Sequence, residues 1–347
     1  MRNRQQQKST LSDATESADQ DKPSPMRRKF GWKSKLLIFL VISYFSIPFA
    51  IRFIRPLQSA LIYVNFIDIP LFTNLSTPQE LGLNATRSFY LHHKHGERVG
   101  VWQIASNKYH QMDTISDRQY MEMLSDGGPI ILYMHGNTGT RAMRHRIGMY
   151  NMLVKRGYHC VTFDYRGYGD SDGSATELGM KEDGYLVWKW IRKHAPNAKV
   201  FVWGHSLGSA AATHLLQDTC SEPHPPSGLI LDAPFTKMED AAVNHIISAP
   251  YWPIVSYLQY TCISHLKEKF STIDKISGVS CKILIIHGTQ DIIIPFELGK
   301  KLYEHAVKNR KPEDGDVLFL DCGPQQHRTN YLSPLLPDAL TSFIDNS

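Results

Sequence analysis

The stretch Val200-Phe-Val-Trp-Gly-His-Ser206-Leu-Gly-Ser-Ala-Ala-Ala212 decides how the rest of the chain reads. Val200–Trp203 is a short apolar run of strand type, and Ala210–Ala212 begins a helix of small residues. Between them lies Gly204-His-Ser-Leu-Gly208, so Ser206 would sit on a sharp strand-to-helix turn. Such a turn leaves no room for side chains beside the serine, which accounts for a glycine on each flank. The helix start would also offer free N–H groups and a positive dipole end to a developing anion. Ser206 is therefore the expected nucleophile.

Outward from this turn, short apolar runs alternate with helical patterns. Strands are predicted at Ile130–Met134, His159–Phe163, Val200–Trp203, Leu229–Leu231, Ile283–Ile286 and Val317–Leu320. Ahead of them, Ser88–Leu91 and Val99–Ile104, on either side of His95-Gly96-Glu97, read as a β-hairpin. Near-continuous apolar strands separated by helices imply a mostly parallel sheet covered on both faces. In such sheets ligands gather at the carboxyl ends of the strands.

The residues just past those ends carry the chemistry. His287-Gly-Thr-Gln-Asp291 follows one strand and Asp321-Cys-Gly-Pro-Gln-Gln-His327 follows the last. The chain order Ser206, Asp291, His327 is that of the α/β-hydrolase fold, an α/β class. In that chemistry the histidine takes and returns the serine proton while the carboxylate fixes its tautomer. Asp232, after the preceding strand, competes with Asp291, but Asp232-Ala-Pro-Phe235 reads as a structural turn. His327 is preferred to His305 because it lies beyond the last strand. After Ile130–Met134 comes His135-Gly-Asn-Thr-Gly139, whose backbone should supply an oxyanion donor at Asn137 or Thr138, with Leu207 as the second. His135, Asp164 and Arg166 are expected to brace loops. No metal or organic cofactor is implied.

Charge separates this body from what precedes it. The chain has 347 residues, 42% hydrophobic, with 38 Lys+Arg, 33 Asp+Glu and a formal charge of +5. Its mean hydropathy of −0.29 excludes a disordered or multi-spanning chain. Nine of the bases but only four of the acids fall in residues 1–35, so the remainder is balanced at 29 of each. The body thus gives no sign of binding nucleic acid. Residues 1–35 read as a disordered basic tail and 36–54 as a transmembrane signal anchor, uncharged from Leu36 to Ile51. The bases before it place the N-terminus in the cytosol and the rest across the membrane. Two glycosylation sequons follow, at Asn74 and Asn84. Residues 55–86 read as a juxtamembrane linker, in which 57–72 suits either a membrane surface or a packed helix. The hydrolase domain is expected over 87–347. Its insertion at about 236–276 is rich in Ile, Trp and Tyr, and reads either as an apolar lid or as a peripheral helical subdomain. Five cysteines without C-x-x-C spacing form neither a disulfide scaffold nor a metal site.

Taken together, Leu81-Gly-Leu-Asn-Ala-Thr86, Val99-Gly-Val-Trp102, His135-Gly-Asn137, Gly139-Thr-Arg141, Val161-Thr-Phe-Asp-Tyr-Arg-Gly167, Trp203-Gly-His-Ser-Leu-Gly208 and Pro295-Phe-Glu-Leu-Gly299 are similar to the α/β-hydrolase-domain-containing 12 group. The resemblance runs from about residue 80 to the end. It implies a single-pass endoplasmic-reticulum enzyme, lumen-facing and glycosylated near its anchor. It also implies cleavage of lysophosphatidylserine and monoacylglycerols through Ser206, Asp291 and His327, with Asn84 at a family sequon. The expected partners are a lipid substrate and the membrane. An acyl-thioesterase with the same triad and a non-catalytic binding protein on the same scaffold are the alternatives.

Overall fold

The computed structural model describes residues 31–66, 69–112 and 115–346. The basic tail expected over 1–35 lies, as far as residue 30, outside the described residues. The chain divides into two units, Met1–Ile47 and Pro48–Ser347. Helix α1 (Trp32–Phe53) runs from the first into the second. It extends the uncharged stretch at both ends, with Lys33 and Lys35 in its first turn and Arg52 in its last. Its most apolar window has a mean hydropathy of 2.1. At about 1.5 Å per residue it is roughly 33 Å long, enough for a hydrocarbon core.

Eight strands form one sheet: β1 (Thr86–His92), β2 (Arg98–Ile104), β3 (Ile130–Met134), β4 (His159–Phe163), β5 (Val200–His205), β6 (Gly228–Asp232), β7 (Lys282–His287) and β8 (Val317–Asp321). Their order is β1-β2-β4-β3-β5-β6-β7-β8. The β1–β2 hairpin and the β2–β4 pair are antiparallel. The pairs from β4 through β8 are parallel.

Strand periodicity explains why the central runs are apolar throughout. Ile130, Leu132, Val200, Val202, Leu229, Leu231, Ile283 and Ile285 join one core cluster. Ile131, Tyr133, Phe201, Trp203, Ile230, Leu284 and Ile286 join the other. Alternate residues face opposite sides and both sides are covered, so no position within these central runs is free to be polar. The first layer is closed by α5 (Glu177–His194), α6 (Leu207–Thr219) and α10 (Phe296–Asn309), the second by α4 (Arg144–Lys155) and α11 (Leu336–Asp345). Burying each Val, Leu or Ile contributes roughly 1.5–3 kcal/mol. A one-residue slip would exchange the two layers, so the register holds the strand ends, and the site, in place.

The segment 55–86, expected as a linker, is instead part of the folded body. Its helix α2 (Arg55–Tyr63) buries Gln58, Ile62 and Tyr63, and the last two belong to the larger core cluster. The Tyr168 hydroxyl donates to the Tyr63 carbonyl at 2.8 Å, and Asn65 donates to the Gly167 carbonyl at 2.7 Å. The open choice for 57–72 resolves to a packed helix over its first half.

The insertion at 236–276 holds α7 (Met238–Asn244), a 3-10 turn (Ile246–Ile254), α8 (Val255–Thr261) and α9 (Thr272–Lys275), with α3 (Asp117–Leu124) lying earlier in the chain. Part of it packs as core and part stays exposed. Leu258, Cys262, Ile263, Leu266 and Phe270 pack into the core, while Ile246, Ile247 and Tyr260 stay 59%, 63% and 76% exposed. All five cysteines are free thiols.

Candidate active site

Ser206 stands between the end of β5 and the start of α6, with φ 51° and ψ −119°. A non-glycine residue held there is strained by about 1–3 kcal/mol, and its surroundings must impose the conformation. They do so tightly. The Ser206 N–H donates to the Asp232 carbonyl at 2.8 Å, tying the turn to β6. A Cβ on Gly204 would meet the Gly208 carbonyl oxygen at 2.4 Å, and one on Gly208 would meet the Met134 carbonyl oxygen at 2.1 Å. Both flanking glycines are therefore required by contact.

The three residues that the chain order singled out meet here. His327 Nε2 lies 2.9 Å from Ser206 Oγ, and His327 Nδ1 lies 2.7 Å from Asp291 Oδ2. The other carboxylate oxygen of Asp291 accepts the N–H groups of Ile293 and Ile294, each at 2.9 Å. Burial opposes ionisation of Asp291, but bonds from His287, His327 and the backbone outweigh it and hold the carboxyl well below its usual range. It is an anion at any neutral pH.

Asp232 is differently placed. It accepts from Asn330 Nδ2 at 2.8 Å and from Trp203 Nε1 at 3.4 Å, and holds no hydrogen bond to His327 among the described residues. Burial pushes its carboxyl up to about 6, partly offset by the Asn330 bond. It braces the turn, as its sequence context implied. His305 lies in α10, remote in sequence from the loop that carries His327.

Two N–H groups remain free beside the serine. Neither Asn137 nor Leu207 N–H has a hydrogen-bond partner among the described residues, whereas the Thr138 N–H donates to Asn137 Oδ1 at 2.7 Å. Of the two loop residues, Asn137 is therefore the one whose N–H is unpartnered among the described residues. The Asn137 side chain is itself held, donating to the Ile62 carbonyl of α2 at 2.5 Å and accepting from the Tyr168 hydroxyl at 3.2 Å.

The bracing residues behave as expected. His135 is buried with Nδ1 2.7 Å from the Gly136 carbonyl. Asp164 is buried against Arg141, and Arg166 pairs with Asp183 at 2.8 Å. Sequence reading passed over two further residues. His205, the variable position before the serine, sets Nε2 2.9 Å from the His327 carbonyl and so ties the base loop to the elbow. Arg146 binds the loop that carries Asn137. Its signal was present in the spacing: Arg146, Met149, Tyr150 and Leu153 fall on one face of α4, and all are buried.

A serine activated by a carboxylate-oriented imidazole, next to two unpartnered backbone donors, is equipped for acyl transfer. Fold and constellation together define an α/β-hydrolase. A sequence profile of the alpha/beta hydrolase fold matches residues 129–253. Lysophosphatidylserine lipase ABHD12 of Danio rerio is 36% identical over 316 residues, which is 89% of this chain and 83% of its own. The Bos taurus protein of the same name is 38% identical, covering 90% and 80%. Protein ABHD12B of Homo sapiens is 35% identical, covering 83% and 80%. The chain belongs to the ABHD12 family and is an ester hydrolase of the lipase type. Among solved structures, the Pyrococcus furiosus esterase Pf2001 shares the fold with a TM-score of 0.59 at 18% identity, over 81% of this chain and 97% of that one. An α/β-hydrolase from Vibrio vulnificus does so at 0.57 and 19%, over 89% and 93%.

Proposed function

We propose that this chain is a membrane-anchored serine hydrolase that cleaves the acyl ester of lysophospholipids such as lysophosphatidylserine, and of monoacylglycerols. The observation that carries the reading is the single imidazole of His327, within hydrogen-bond reach of both Ser206 Oγ and Asp291 Oδ2. The names of the family's relatives supply the lysophospholipid headgroup.

In the acylation step Ser206 Oγ attacks the ester carbonyl carbon and His327 Nε2 takes the hydroxyl proton. Charge that builds on the carbonyl oxygen is met by the N–H groups of Asn137 and Leu207. Asp291 keeps the proton of His327 on Nδ1 and stabilises the imidazolium. The tetrahedral adduct then expels the glycerol oxygen, which receives the proton from His327 Nε2, and Ser206 is left acylated. Water, deprotonated by His327, attacks the acyl-enzyme, and the fatty acid leaves as Ser206 regains its proton.

The apolar helix 32–53 serves as a single-pass anchor and keeps the site where single-chain lipids partition. The bases ahead of it favour a cytosolic N-terminus, with the catalytic body in the endoplasmic-reticulum lumen. Asn74 and Asn84 are both exposed, as acceptors of glycan must be. The exposed Ile246, Ile247 and Tyr260 give the insertion an apolar surface suited to acyl chains.

Full-length protein in detergent, assayed on lysophosphatidylserine, a monoacylglycerol and an S-acyl peptide, tests the reading. Both oxygen esters should be cleaved, and Ser206→Ala should lower kcat by about 10⁶-fold while abolishing fluorophosphonate labelling. Lipase activity retained in Ser206→Ala would defeat the triad. Preference for the thioester would defeat the substrate class.

A further inference from the structure

The guanidinium of Arg146 is a buried cation with an unusual set of partners. The residue is 1% exposed, in the first turn of α4. A charge removed from water normally has a counter-charge. Arg141, close by in the chain, has two, Asp164 and Asp170. Arg146 forms no ion pair among the described residues. Its two terminal nitrogens are bound instead by carbonyl oxygens of one loop, while Nε has no partner among the described residues. Nη1 donates to Thr140 at 2.6 Å. Nη2 reaches Gly136 at 2.9 Å, Asn137 at 3.2 Å and Thr138 at 2.8 Å.

The consequence follows from peptide planarity. In a trans peptide the C=O and the next N–H point in opposite directions. Each carbonyl drawn onto the guanidinium therefore turns the following N–H away from it. For the Gly136 carbonyl, that N–H belongs to Asn137. The loop lies directly against the nucleophile, because a Cβ on Gly136 would come within 3.0 Å of Ser206 Cβ and 2.8 Å of His205 Nδ1. The Thr138 N–H, turned by the same device, is closed off by Asn137 Oδ1. Of the N–H groups turned in this way, that of Asn137 follows Gly136, the residue lying against Ser206.

We propose that Arg146 is a positioning residue for the oxyanion site, fixing the Asn137 N–H by binding the carbonyls behind it and leaving that loop with an uncompensated positive charge. This rests on the serine hydrolase reading above. Arg146 touches no reacting atom. It acts through the loop, where ordered peptide dipoles and a cation with no counter-charge both favour negative charge on the substrate oxygen. Burial first, and the Arg146 charge next, also disfavour protonation of neighbouring His135 and His145.

The test uses full-length Arg146→Gln and Arg146→Lys, with kcat and KM on a monoacylglycerol and binding of a long-chain alkyl trifluoromethyl ketone. That ketone forms a tetrahedral adduct with the serine, so its affinity reads the oxyanion site directly. A free fatty acid, which forms no adduct, serves as the control ligand. Arg146→Gln should lower kcat by about 10²–10³-fold, the range for loss of one oxyanion donor, with KM within about threefold. Ketone affinity should fall in parallel, and fatty-acid inhibition should not. Arg146→Lys keeps the charge but not the planar fork, and should lose only about tenfold. Millimolar guanidinium added to Arg146→Ala should restore kcat and leave KM unchanged. Wild-type kcat in the Gln or Lys variant would overturn the inference. So would a loss of activity that leaves ketone affinity intact. Neither result touches the hydrolase reading, which falls only if Ser206→Ala stays active.

Discussion

Two buried carboxylates lie behind the nucleophile, and replacing each with its amide separates their roles. In Asp291→Asn the backbone N–H groups of Ile293 and Ile294, which now bond one carboxylate oxygen, require an acceptor. The amide oxygen must stay with them, so the NH₂ faces His327 Nδ1. The proton of the neutral imidazole is then forced onto Nε2, pointing at Ser206 Oγ, and the ring cannot accept the serine proton. His287 retains the Ile294 carbonyl at 2.9 Å and loses only its 3.3 Å contact with Asp291 Oδ2. Two losses add. Stabilisation of the imidazolium by a carboxylate whose charge is about 4 Å away is worth about 4 kcal/mol at an effective dielectric of roughly 20. The wrong tautomer costs about 1–2 kcal/mol more, the difference that closes on a loss of about 10⁴-fold. Asp232→Asn, by contrast, changes a group bonded to Asn330 and Trp203, and kcat should stay within about threefold. Both variants would be assayed on a monoacylglycerol in detergent, with fluorophosphonate inactivation rates as a second reading. A loss under tenfold in Asp291→Asn, with a large loss in Asp232→Asn, would refute the assignment of the acid.

The same Asp232→Asn variant should also reshape the pH dependence of stability. The Asp232 carboxyl is raised by burial from 3.8 to about 6, so the stability it allows is fully present below 3.8 and declines as pH rises through 6. Removing it should gain roughly 2 kcal/mol more at pH 7 than at pH 4, read as about 4 °C of difference in Tm between the two pH values; an equal shift at both would count against the buried ionisation. Tyr168→Phe deletes the hydroxyl bonded to the Tyr63 carbonyl and Asn137 Oδ1. It should cost about 1–3 kcal/mol of stability and less than about tenfold in kcat, and an unchanged Tm would show that α2 does not depend on this bond.

Much of this was legible in the sequence because the sheet is buried on both faces. A strand such as Ile130–Met134 cannot alternate with polar residues when both sides are core, so its apolar run stands out. Elbow glycines, Asp291 and His327 follow such runs directly. The segment 55–86 was less legible. Its helix spans nine residues and buries only three of them, so the stretch looks like a polar-flanked linker until its partners are seen. Asn137 was legible as a backbone donor, but the choice between it and Thr138 turns on a side-chain bond within the loop. The spacing on α4 marks Arg146 as a buried position, but its role was hidden because its partners are carbonyls, which leave no complementary residue type to find.

Those two less legible features meet at one place. The chain leaves the apolar helix at Phe53 and begins α2 two residues later, at Arg55. The last turn of α2 then offers the Ile62 carbonyl to the Asn137 side chain, and the next residue offers its carbonyl to Tyr168, which also bonds Asn137. From the other side Arg146 holds the backbone of the same loop. Asn137 is thus fixed through its side chain by the segment that follows the apolar helix and through its carbonyl by α4. Its N–H has no hydrogen-bond partner among the described residues. A spacer after the apolar helix would tolerate changes in length. A helix whose carbonyl holds the Asn137 side chain would not, because one residue added within it rotates its face by about 100°.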